Sequence, residues 1–283
     1  MAKKPLTSTK PTQSTALATI NEKLKAFASD AAKTEDGTGL GVQSFSLRAG
    51  VLSFDGDALP GNRVALVVLD HVLLNTFYGQ ARKKFDPENP EPPTCFAIGR
   101  DADTLSPHAS VVAAGQAQND ICRTCPWNVF GSSDTGRGKA CQQRRRLVVI
   151  PAGDLDQDGG FTSRLSAPYI AAAEPAYLTL PVTSTIGWAQ YVRLLETTLH
   201  RPPFAVVTLV ELKPDVKTQF KLHFSTLEAV ESVESLEALI ERHELSKSLA
   251  EQPLSLERRN AEPSSDKPSA ATRKPRARAR KGF

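Results

Sequence analysis

Apolar positions along this chain change period several times, and each change marks an element. Leu17, Ile20, Leu24 and Phe27 recur at intervals of three and four with Glu22, Lys23 and Lys25 off that face, which predicts an amphipathic helix over about 15–33. From Val42 the period becomes extended. Phe45 and Leu47, then Val51, Leu52 and Phe54, flank Ala49-Gly50 and precede an Asp55-Gly56-Asp57 turn, so two short strands are expected. Residues 63–78 are rich in Val, Leu and aromatics and poor in caps, and read as one long strand bent near Asp70-His71. The Pro-rich stretch 86–93 lacks backbone donors and is a connection.

The second half repeats this alternation of periods without repeating sequence. Arg144-Arg145-Arg146 leads into the apolar run 147–150, a strand with a basic entrance, and 177–182 reads as another strand. Thr183, Ser184 and Thr185 offer caps to a helix whose stripe is Trp188, Tyr191, Val192, Leu195 and Leu199, stopped by Pro202-Pro203. Residues 204–213 and 217–224 predict a hairpin about Pro214-Asp215, with Phe220, Leu222 and Phe224 alternating with Gln219, Lys221 and His223. Thr226 is expected to open a last helix that packs through Val230, Val233, Leu236, Leu239 and Ile240. The fold class is therefore mainly β with flanking helices (α+β). An N-terminal arm and helix (1–35) precede a core (36–248), and a disordered basic tail (249–283) follows it.

Composition narrows the setting. At 283 residues the chain can bury a core without help from metal or disulfides. It holds no run of about 18 apolar residues, so no membrane span or membrane partner is expected. Its first residues are basic but lead into Thr, Ser and Gln, unlike a secretory signal. A reducing cytoplasm is the expected location, and there clustered cysteines favour metal over disulfide.

All four cysteines lie between 95 and 141. Cys122 and Cys125 form a C-x2-C knuckle, Cys141 follows, and Cys95 sits upstream in an extended segment. Four thiolates at roughly 2.3 Å satisfy tetrahedral zinc and leave no open position, the mark of a structural site. Cys95, Cys122, Cys125 and Cys141 are the expected Zn2+ ligands, with His108, in a Ser106-Pro107-His108 turn, as the rival for Cys95's place. The sequence has no H-E-x-x-H or G-x-S-x-G motif. The loop 131–139 resembles a phosphate-binding P-loop but has Arg137-Gly138 where Lys and Ser or Thr are required. Asp154, Asp156 and Asp158 match half of a calcium loop, which then fails at Leu165, so an acidic hairpin turn is expected.

The net charge is only +4, yet cations cluster. Arg82, Lys83 and Lys84 follow Phe77-Tyr78. Arg123, Arg137, Lys139 and Arg144 to Arg146 surround the cysteines, and Arg273 to Lys281 crowd the end of the chain. Cations interleaved with aromatics suit a nucleic-acid partner.

The run from Cys122-Arg123-Thr124-Cys125-Pro126-Trp127 through Gly136-Arg137-Gly138-Lys139-Ala140-Cys141 and the arginine-led strand resembles a family of tailed-phage proteins, some described as single-stranded DNA-binding. The resemblance covers about 93–150. More distantly it is similar to the zinc-containing helix-destabilising protein of T-even phages, which implies a five-stranded OB-fold barrel with a zinc-binding insertion (93–146). The ligand spacing differs from that protein, and the basic ending departs from the acidic tails of such binders. The function these readings imply is single-stranded DNA binding in phage replication or recombination, without catalysis and alongside phage replication or recombination proteins. Expected DNA contacts are Tyr78, Arg82, Lys83, Lys84, Arg137, Lys139, Arg144 and Lys221. The alternatives are a zinc-scaffolded nuclease-like or primase-like component and a virion or host-takeover interaction protein.

Overall fold

The structure is a computed structural model that describes residues 42–79, 92–156 and 158–254. The expected N-terminal arm and helix, Arg82 to Lys84 and most of the basic tail lie outside these residues. In chain order the strands are β1 (Phe45–Arg48), β2 (Val51–Phe54), β3 (Asp57–Ala58), β4 (Arg63–Phe77) and β5 (Cys95–Gly99). A short helix α1 (Ala109–Ala113) leads to the cysteine turns and then to β6 (Gln142–Pro151), β7 (Gly153–Leu155), β8 (Phe161–Ser163), α2 (Ala167–Ala172) and β9 (Ala176–Leu180). Helix α3 (Thr185–Leu194), β10 (Val206–Asp215), β11 (Gln219–Ala229) and α4 (Val233–Ala250) complete the order. The protein is α+β and mainly sheet.

Its centre is an antiparallel sheet in the order β11-β10-β4-β6-β9, with β5 added to the far half of β4. Alternation along β4 and β6 divides the core. Leu66, Val68, Leu147 and Val149 face Trp188, Tyr191 and Leu195 from α3 and its extension, together with Phe45 and Leu52 of the β1-β2 hairpin. Val67, Leu69, Val148 and Ile150 face Ile170 of α2 and Leu239 of α4. A strand covered on both sides needs apolar residues at both parities, which is why 64–69 reads as a continuous apolar run. The predicted bend is a bulge, where the register with β6 shifts between Val68 and Asp70.

The expected OB barrel is not closed. The β1-β2-β3 sheet meets β9 through a single Ser44–Tyr177 bridge and the Tyr177 N–H to Gln43 carbonyl bond of 2.8 Å. At its other end the hairpin turn rests on β11 through side chains. Gly50 has φ +78°, and a Cβ there would lie 2.2 Å from the Phe220 ring. Among the described residues no ladder joins the hairpin to β11, so the hairpin is held there by packing and at β9 by the single bridge.

Three further expectations need correction. No side chain caps α3: the helix grows out of a 3-10 turn at Val182–Ser184, and the Ser184 hydroxyl instead accepts the Leu222 N–H at 3.0 Å. Thr226 does not start a helix. It stays in β11 opposite Thr208, and α4 begins after Ser232, whose side chain accepts the Ser235 N–H. Of its predicted apolar stripe, Leu236 and Leu239 pack inward whereas Val233 and Ile240 are exposed. Ordered structure also passes the expected boundary at 248. The buried Arg146 guanidinium donates to the Ala250 and Gln252 carbonyls, satisfying the end of α4, and lies over the Tyr177 ring at 4.8 Å. The acidic stretch forms the β7-β8 hairpin as expected, with Asp154 held by Arg164 and Asp156 accepting the Gly160 N–H.

One side of β4 is covered discontinuously. Strand β10 pairs with Arg63 to Leu66 and β5 with Leu73 to Phe77, so among the described residues Val67 to Val72 have no strand neighbour on that side. Side chains answer the exposed backbone there. The Leu69 carbonyl meets His243 Nδ1 at 2.7 Å, and the His71 N–H donates to Asp70 Oδ1 at 2.8 Å. Arg100, just past β5, holds the buried Asp70 through two bonds of 2.9 and 2.6 Å and reaches Glu251 at 2.9 Å. Burial alone would raise the Asp70 carboxyl, but the Arg100 and His71 hydrogen bonds outweigh it and the net shift is downward. Because the folded value lies below the ordinary one, the pair stabilises the protein above about pH 4 and the gain disappears as pH falls through the folded value. Asp70→Asn should therefore lower stability by about 2 kcal/mol at pH 7 and by progressively less as pH falls below about 4, a convergence measurable by urea titration.

Candidate metal centre and its basic lobe

The chain order places Cys95 at the first position of β5, opposite Phe77. Cys122 opens a 3-10 turn, Cys122–Thr124, and is tied in by its N–H to the Leu105 carbonyl at 2.8 Å. Cys125 precedes a second such turn, Pro126–Asn128, whose leading proline fixes φ and surrenders no useful donor. Cys141 lies just before β6, held by its N–H to the Trp127 carbonyl at 2.9 Å. Four thiols from three separate segments thus reach one cavity, walled by Phe77, Phe96 and Trp127. Trp127 stacks on Phe77 at 5.1 Å and fixes its indole by donating to Gln118.

The cavity measures about 20 Å³, room for one water-sized occupant and no organic cofactor. All four cysteines are buried and none forms a disulfide. Burial pushes the Cys122 thiol up to about 11, and burial with the other three thiols pushes Cys141 up to about 12; burial also raises Cys95. Neutral thiols crowded in an apolar hole gain little from one another. A divalent cation would reverse this, since it binds the thiolates and replaces mutual repulsion with attraction. As they stand, no three His, Cys, Asp or Glu side chains among the described residues are arranged so as to hold an ion. The donor set fits zinc in kind and number, while the side chains share a cavity without ligating geometry. His108, the rival fourth ligand, is not in the cavity wall. Its Nδ1 caps α1 by accepting the Ser110 N–H at 3.2 Å, and its ring stacks on Phe96 at 5.0 Å.

Beyond Trp127 the chain makes a tight glycine-rich excursion, closed by the Gly131 N–H to Gly138 carbonyl bond of 2.7 Å. Arg137 and Lys139 are exposed on it, and Lys139 is anchored to Asn128 and Gln143. Phe130 stands at its base with 78% of its surface exposed, beside the exposed Val129. The basic residues expected to act together do not all do so. Tyr78 follows β4 at this end of the sheet, and Arg144 is half-buried and bonded to Gln142. Lys221 does not belong to the group. It pairs with Lys213 beyond the opposite end of β4, where Glu211 faces Arg63; that end is about 46 Å from Phe77 at strand spacing. The arginine triplet also splits, because alternation sends Arg146 into the α4 side, where it is used up structurally. Phe130 was missed in the sequence, since an aromatic beside a glycine loop looks the same whether it faces in or out.

No family model, no curated protein and no solved structure matches the chain, so the resemblance of its cysteine motif to phage proteins stands on the motif residues themselves.

At pH 8 a thiol raised to about 11 is about one part in a thousand thiolate, and the thiolate is the reactive form. In metal-free folded protein, Cys122 and Cys141 should alkylate with iodoacetamide far more slowly than in urea. Mass mapping that finds equal rates in both states would contradict the buried arrangement.

Proposed function

We propose that this protein binds single-stranded DNA stoichiometrically, through the lobe built on the cysteine turns, with a structural Zn2+ holding that lobe. The observation that carries the reading is Phe130, exposed at the root of a glycine-rich loop that also presents Arg137 and Lys139. A free aromatic face beside cations that form no ion pair among the described residues is the arrangement that stacks a base and neutralises the adjoining phosphate. Cys95, Cys122, Cys125 and Cys141 would hold the metal, which would supply folding energy and no reactive position. In place of a closed OB barrel the reading takes an open antiparallel sheet with a hairpin packed against it. A role in phage replication or recombination follows from the motif resemblance.

Labelled oligo(dT) should bind with an affinity that falls steeply as salt rises, and anisotropy should register it. Phe130→Ala should weaken binding by about tenfold, the stacking of one base, with an unchanged thermal midpoint. Arg137→Ala should reduce the slope of log affinity against log salt by about one. Absence of salt-sensitive binding would rule the reading out.

Elemental analysis should find about one Zn per chain. Chelation or Cys125→Ser should loosen the lobe, visible as faster amide exchange over 122–141 while β4 and β6 stay protected. Zinc-free protein with the lobe fully protected would exclude the structural ion.

A further inference from the structure

The interrupted edge of β4 opens a cleft of about 550 Å³, within the range of small-molecule sites. Its walls come from β4 itself, from Arg100, from α3, from the Pro202-Pro203-Phe204 segment and from His243 of α4. It is separate from the cysteine lobe: His71 lies six residues before Phe77 on the same strand, about 20 Å away.

Two facts restrict what can enter. Two of the backbone groups in the gap are taken, the Leu69 carbonyl by His243 and the His71 N–H by Asp70. These bonds work against an added strand at the middle of the gap and favour an occupant that engages side chains. Those side chains are cationic in excess. Arg100 is neutralised by Asp70 and Glu251. Arg145, which the alternation of β6 sends to the α3 side, is half-buried, and its one hydrogen bond among the described residues goes to the Arg144 carbonyl at 2.9 Å. Neither it nor Arg193, near the end of α3, forms an ion pair among the described residues. A partly desolvated guanidinium without an anion is costly to keep. Burial keeps the His71 imidazole below its ordinary range, with Arg100 and Arg145 facing it, so the arginines supply the charge. The rest of the wall is apolar: Val192, Pro202, Pro203 and Phe204, with Trp188 behind.

We infer that this cleft binds a nucleotide, its phosphate on Arg145 and Arg193 and its sugar and base against the Pro202-Pro203-Phe204 wall. Guanidinium forks match phosphate oxygens in pairs, and the apolar wall suits a flat, weakly polar body. The anion site stands on its own; the choice of a nucleotide among phosphate esters rests on the proposed nucleic-acid function. The nucleotide is either free or one unit of a bound strand.

The test uses the full chain without substitution. Heat of binding by isothermal titration and the thermal midpoint are followed against inorganic phosphate, dTMP and oligo(dT). A saturable change with dTMP, weakened about tenfold or more by Arg145→Ala, establishes a site for the free nucleotide. A change with oligo(dT) alone that shows the same Arg145 dependence establishes one for a nucleotide within a strand. If Arg145→Ala fails to fold, the exposed Arg193→Ala gives the same reading. No response to dTMP or oligo(dT), an equal response from inorganic phosphate and dTMP, or a response indifferent to both arginines overturns the inference. A dTMP response without any oligo(dT) binding would keep the cleft and sink the single-strand reading. Oligo(dT) binding that depends on Phe130 but not on the arginines would do the reverse.

Discussion

Strand β4 is covered on both faces and has neighbours along both edges for most of its length, so the polar groups of its backbone must find partners inside the protein. That requirement shapes what surrounds it. The edge toward β6 is continuous except at the Val68–Asp70 bulge. The other edge is shared between two strands that do not meet, and in the stretch between them His243 meets the Leu69 carbonyl and Asp70, held by Arg100, accepts the His71 N–H. A buried carboxylate is affordable here because one guanidinium and one backbone N–H divide its charge. The same arrangement ties β4 to β5 and, through Glu251, to the end of α4.

The cysteine lobe depends on the far half of that strand. Phe77 and Cys95 are register partners, Trp127 stacks on Phe77, and Cys141 immediately precedes the strand that pairs back along β4. The small cavity between the thiols is therefore walled by residues of β4 and β5 and by the knuckle turns. The lobe's outer loop is held only by local bonds, such as Gly131 to Gly138.

Periodicity alone made much of the fold legible. The strands at 45–48, 51–54, 63–77 and 142–151, the helix at Trp188 and the β10-β11 hairpin follow from runs whose period is unambiguous. The reading failed where two local signals competed. Thr226 has a capping residue's chemistry, but the ladder to β10 runs on through it, opposite Thr208, and Ser232 took the cap. Ser184 lies where a cap belongs and was recruited by Leu222 across the core. The closed barrel failed because closure depends on how two distant edges meet, and the Gly50 turn packs against Phe220 without a ladder.

What the sequence determined by itself was composition and spacing: an α+β chain with a long two-faced strand, four clustered cysteines and an arginine triplet. Tertiary structure decided what those groups face. It drew four thiols from three segments to one cavity of about 20 Å³ and left His108 out of its wall. It divided three consecutive arginines among a helix end, a glutamine and an open cleft. It also left Phe130 in solvent and set Lys221 at the other end of the sheet. Strand alternation sends neighbours to opposite faces, and pairing brings together residues far apart in the chain, so the roles of individual side chains emerge only when the register is set.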